Sequence, residues 1–117
     1  MLVVRHQVQK RFRLSADQIK PFARGHGYCI ATDRITVDGL PVRYMYREAP
    51  DKPGDSGWRF FAGDESDDYA NDAENLALYD VNTIANYDQD IIPHLSAPYG
   101  SAFERNAKPG RFMPATV

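Results

Sequence analysis

The residues of this chain whose types could do chemistry are a lone cysteine, three histidines and a long run of acids. Cys29 with His26 or His94 would supply a nucleophile and a base. Cys29 lies, however, among Tyr28, Ile30 and Ala31 in a β-type run, where cysteine is ordinarily a small buried hydrophobe. His6, His26 and His94 share no ligand spacing with one another or with Cys29, so no zinc site is expected. Asp64, Ser66, Asp68 and Asp72 are spaced like the start of an EF-hand loop. Tyr69 stands where that loop needs glycine, and Asn75 where it needs a bidentate glutamate. Asp80, Asp88 and Asp90 offer carboxylate pairs of the kind a glycosidase uses, but any acidic chain offers as much. The glycine-rich nucleotide motifs and the Gly-x-Ser-x-Gly elbow are absent. The expectation is therefore of no catalytic residue, no metal, no cofactor and no enzymatic activity.

Charge is a stronger signal. Between Phe60 and Glu104 there is no lysine or arginine, while Asp64, Glu65, Asp67, Asp68, Asp72, Glu74, Asp80, Asp88, Asp90 and Glu104 fall in that span. The first 24 residues are basic, with Arg5, Lys10, Arg11, Arg13, Lys20 and Arg24 against Asp17, and the tail adds Arg105, Lys108 and Arg111. The overall charge of -2 and a pI near 5.9 argue against nucleic acid as the partner. The basic cluster then reads as a solvated face. Trp58, Phe60, Phe61 and Tyr69 lie beside the acids, and aromatic anchors with a charged rim are the anatomy of a protein interface.

At 117 residues, 43% of them hydrophobic, the chain has the size and composition of one folded domain. No stretch approaches the length of a membrane span, and Met1-Leu2-Val3-Val4 runs into Arg5 and His6 without the plan of a signal peptide. The expected address is the cytoplasm. One cysteine can form no internal disulfide, which agrees with a reducing compartment.

The elements that would position these residues read as α+β: a small, mostly antiparallel sheet of about four to five strands with two or three short helices packed on it. Ser15-Ala16-Asp17-Gln18 has the form of a capping box opening a short helix, within a basic N-terminal segment spanning 1–24. Tyr28–Val37 and Leu40–Tyr46 flank Asp38-Gly39 and predict a β-hairpin through a type I′ turn. That register places Asp33 on the apolar face and sets Arg34 opposite Arg43, both unfavourable, so either a bulge near Asp33-Arg34 or a carboxylate between the arginines is required, and the bulge is the favoured expectation. Residues 50–57 are turn formers and read as an exposed loop. Trp58–Ala62 reads as a central strand with Trp58 and Phe60 on one face and Arg59 and Phe61 on the other. Residues 64–75 read as loop or a frayed turn around Tyr69. Leu76–Val81 reads as a strand, and Asn82 as the N-cap of a helix continuing the stripe Ile84, Tyr87, Ile91, Leu95, ended or kinked by Pro93. Residues 101–105 read as a last edge strand and 106–117 as a loosely held tail.

The strings Gly27-Tyr28-Cys29-Ile30-Ala31-Thr32-Asp33-Arg34, Gly57-Trp58-Arg59-Phe60-Phe61-Ala62-Gly63-Asp64-Glu65, Tyr79–Tyr87 and Gly100–Arg105 closely resemble a bacterial family once catalogued as a domain of unknown function. That family is now grouped with the immunity proteins of polymorphic-toxin systems. The most specific string is Trp-Arg-Phe-Phe-x-Gly-Asp-Glu, and the segment through Arg24 lies outside the match. The resemblance implies a single domain over 1–117 that binds and neutralises a cognate toxin, as a monomer or weak homodimer, with no nucleic acid or membrane partner. An acidic surface would suit a basic, nuclease-like toxin. Partner contact is assigned to Asp64, Glu65, Asp67, Asp68, Tyr69, Asp72 and Glu74. The motif residues Trp58, Arg59, Phe60, Phe61 and Gly63 are assigned to the framework. Two alternatives remain: a small-ligand or enzymatic domain with polar groups converging around Asp33, Arg34 and Asp80, and a domain that self-associates through the hairpin edge.

Overall fold

A computed structural model describes residues 10–50, 52–107 and 109–116. Arg5 and His6, with the rest of 1–9, and Lys108 lie outside the described residues, and so does the part of the basic-segment reading that rests on them.

The sheet has six strands rather than four to five: β1 (Tyr28–Thr32), β2 (Tyr44–Arg47), β3 (Asp55–Phe61), β4 (Leu76–Asp80), β5 (Ala102–Glu104) and β6 (Met113–Pro114). Their order is β4-β1-β3-β2-β5-β6. β1 runs parallel to β3, and every other pairing is antiparallel. The extra strand is a two-residue addition, β6, beside β5, which is consequently not the edge it was expected to be.

The predicted hairpin does not form. β3 lies between β1 and β2, and the chain after Thr32 turns into a four-residue helix, α1 (Asp33–Thr36). Backbone N–H groups of Val37, Asp38, Gly39 and Leu40 return to carbonyls of Asp33, Ile35 and Arg34, closing that turn. Gly39 takes φ +77°, and this explains the misreading. Asp-Gly supplies the left-handed residue that ends a helix as readily as the one that makes a type I′ turn. The expected bulge falls with the hairpin. The two electrostatic conflicts are relieved instead by taking Asp33 and Arg34 out of the sheet, where Asp33 accepts from Lys10 at 2.8 Å and Arg34 bonds Asp38 and Asp64.

Strand β3 begins inside the stretch read as a loop, at Asp55. Gly57 lies in that strand with φ +84°, and a Cβ there would stand 2.0 Å from the Glu48 carbonyl, so only glycine lets the β2–β3 connection close. The central-strand reading of Trp58–Phe61 holds, as do the faces. Trp58 and Phe60 are fully buried with Cys29, Ala31 and Met45.

Two helical pieces cover that face. α3 (Val81–Tyr87) and a 3₁₀ helix over Gln89–His94 present Ile84, Ile91 and Leu95, all buried, with Tyr87 packed beside them. The stripe was legible; its break was not. Asp88 is extended at φ -153° and caps the second piece. The cap of α3 is Asp80, whose carboxylate accepts from Asn82 N–H at 2.8 Å, and not Asn82. Asn82 instead accepts from the N–H groups of Phe22 and Ala23, holding the N-terminal segment to α3. The capping box opens only a single 3₁₀ turn, Ala16–Gln18, where Gln18 accepts from Ser15 N–H.

A buried ion pair ties the far end together. Arg105 and Asp88 are in direct contact with almost no exposure; Arg105 also donates to Val42 O, Asp90 and Gly110 O, and lies 4.2 Å over the Phe112 ring. Phe112 is buried and β6 pairs with β5, so these tail residues have defined places in the fold.

Candidate partner-binding surface

Strand alternation sends the other residues of the motif away from the core. On this open face Arg59 donates to both oxygens of Asp55, at 2.9 and 2.8 Å, and to Glu48 at 2.8 Å. The guanidinium bond holds the Asp55 carboxyl below its ordinary range, with a smaller contribution from Gly57 N–H. Phe61 is half-buried and stacks on Tyr46 with ring centroids 5.9 Å apart and planes 12° apart. Tyr44 closes the group at 5.8 Å from Tyr46 and 6.0 Å from Phe61. The register makes this group, since Tyr44 lies opposite Phe61 and Tyr46 opposite Arg59.

The rest of the motif builds the turn after β3. Gly63 has φ +91° and packs against the Arg43 side chain. Glu65 folds back: one oxygen accepts from Gly63 N–H at 2.8 Å, the other from Ala62 N–H at 2.8 Å and Thr32 Oγ1 at 2.6 Å. Asp64 takes the Arg34 guanidinium, which lowers its pKa. Of the seven residues assigned to partner contact, Asp64 and Glu65 are thus occupied by the fold itself.

The remaining five sit on short, capped turns. α2 (Asp67–Ala70) is capped by Ser66, whose hydroxyl oxygen accepts from Tyr69 N–H. Asp72 accepts from Glu74 N–H in the 3₁₀ turn Ala73–Asn75. Asp67, Asp68, Asp72 and Glu74 are exposed, and Tyr69 is half-buried, its phenol pushed up by burial and then by Asp33 and Asp38.

Between this acidic strap and β5 lies a concavity of about 450 Å³ lined by the three rings, Arg43, Glu65, Asp67 and Glu104. Sequence reasoning missed it, because its walls come from β2, β3, the strap and β5. The available signal was Tyr44-x-Tyr46, two aromatics alternating with buried Met45.

The residues first considered for chemistry do not converge. Cys29 is fully buried, and burial raises its thiol far above the ordinary range, with Asp80 adding to the effect. His94 packs between Phe103 and Phe112, its pKa lowered by burial and then by Arg105. Asp33, Arg34 and Asp80 serve an ion pair, another ion pair and a helix cap, and none of them lines the concavity. Among the described residues no group of three or more His, Cys, Asp or Glu could hold a metal ion, and no helix is long and apolar enough to cross a membrane.

Fold and surface together define a small α+β domain whose sheet is covered by helices on one face and carries an aromatic, acid-rimmed hollow on the other. The model of the immunity protein Imm33 domain matches residues 29–116, and the chain belongs to that family. Neither the curated proteins nor the solved structures gave a match.

Proposed function

We propose that this protein is an immunity protein that binds a cognate toxin stoichiometrically and neutralises it by occlusion rather than by chemistry. The observation that carries the reading is the Imm33 match over 29–116. Toxin contact is assigned to the strap, through Asp67, Asp68, Tyr69, Asp72 and Glu74, while Asp64 and Glu65 hold the strap in shape. The partner that suits this surface is a basic protein, such as a nuclease-like toxin, because opposite potentials accelerate encounter and cover the surface that would otherwise meet an anionic substrate. The protein would act in the cytoplasm of the producing cell as a monomer or weak homodimer.

The test is capture of tagged protein from its native cells, with sizing of the eluate at low and moderate salt. A one-to-one complex whose association slows at higher salt, and slows again when Asp67, Asp68, Asp72 and Glu74 are changed to their amides, is the expected result. Recovery of no partner at either salt would overturn the reading. Association indifferent to those substitutions would overturn the role of the strap.

A further inference from the structure

Among the described residues, the hollow on the open face carries a charge imbalance that the fold leaves uncorrected. Its charged lining is Arg43, Arg105, Glu65, Asp67 and Glu104. The Arg105 charge is already met by buried Asp88 and by Asp90. Arg43 donates to two carbonyls, Ala62 O at 2.8 Å and Asn106 O at 2.9 Å, and so points its donors at backbone. Glu65 accepts from two backbone N–H groups and a hydroxyl, none of them cationic. Asp67 and Glu104 are exposed, and among the described residues neither carboxylate has a hydrogen-bond or ion-pair partner. Setting Arg105 aside leaves three carboxylates against one cation. Three rings lie between them, with Tyr46 and Phe61 stacked and Tyr44 tilted against both.

We infer that this hollow receives an arginine side chain projecting from the toxin, its guanidinium stacked on Tyr44, Tyr46 and Phe61 and its donors turned to Glu104 and Asp67. This rests on the proposed toxin-binding role and names the anchor point within it. Aromatic faces attract cations, and a planar guanidinium both stacks and presents a fork of donors to carboxylates, which an ammonium does not. The volume lies within the roughly 300–1,000 Å³ of ordinary ligand pockets, enough for one long side chain and its neighbours. Glu104 also pushes up the Tyr44 phenol, after burial, and Glu48 does the same for Tyr46, so both rings stay neutral across the physiological range.

The test uses N-acetyl-arginine amide as the probe, titrated into the full chain by heteronuclear NMR with the neutral isostere N-acetyl-citrulline amide beside it. Shifts concentrated on Tyr44, Tyr46, Phe61 and Glu104, present for arginine and absent for citrulline, are expected. Glu104→Gln should weaken the arginine response by about 2- to 5-fold, and Tyr46→Leu by a similar factor, on the order of a cation–π or exposed ion-pair contact each. Dispersed spectra of both variants would show that the loss is not one of folding. Shifts spread over Asp72, Glu74 and the other surface acids, or an unchanged response in Glu104→Gln, would overturn the inference. The same two variants separate it from the broader reading. A captured toxin that dissociates no faster from them leaves the immunity role standing and removes the arginine anchor; a clear arginine response with no toxin captured does the reverse.

Discussion

On one side of β3, Trp58 and Phe60 are wholly buried under α3 and the Gln89–His94 helix, and the Trp58 ring N–H has found the Leu95 carbonyl at 3.1 Å. On the other side, Arg59 is held in a three-point clamp by Asp55 and Glu48, while Phe61 shares an open stack with two tyrosines. The same strand thus serves one face with dry packing and the other with charge and ring surface. The second face is divided in turn: the Arg59 clamp is itself buried and structural, and only the ring stack stands open.

The sharpest way to break the comparison is to truncate the core side. Trp58→Ala should cost about 3–5 kcal/mol of unfolding free energy, measured by urea denaturation, since it empties a large volume and strands the Leu95 carbonyl. A loss below about 1 kcal/mol would mean the helices do not depend on this face. On the open side, Arg59→Met should cost less, about 1–3 kcal/mol, because Asp55 loses its cation but keeps Gly57 N–H. It should also return the Asp55 carboxyl toward its ordinary range. The stability that Asp55 contributes is present above its unfolded pKa and lost as pH falls through the lower folded value, so the variant's acid slope in that window should flatten.

The smallest effect concerns His94, on the closed side. Its folded pKa lies below the ordinary 6.5, so the unfolded chain takes up the proton more readily. Stability should be full above that value and decline as pH falls from it toward the lower folded pKa. His94→Gln should flatten that shallow slope in urea titrations. If the slope survives, the histidine is not the group responsible.

What could be read from the sequence follows the range of the forces involved. Trp58–Phe61 showed its two faces because strand alternation is local, and the Ile84-to-Leu95 stripe showed through its helical spacing despite the break at Asp88. The Asp38-Gly39 turn misled because one left-handed glycine serves two kinds of turn, and the hairpin partner's place beside β1 is taken by β3, distant in sequence. The acidic strap announced its charge, but not that Glu65 would spend its oxygens on Thr32 and the turn behind it. The hollow was illegible for a similar reason: Tyr44, Phe61 and Glu104 become neighbours only through the pairing of β2 with β3 and β5.

The order β4-β1-β3-β2-β5-β6 also constrains how the chain can be made. Of the described strands, the first two in chain order have no ladder with each other, and each waits for β3 to come between them. Among the described residues no two strands can form a ladder until β3, from Asp55 onward, has emerged, and the apolar segments before it are left without strand partners until then. A chain cut short before Asp55 would hold β1 and β2 without the strand that joins them.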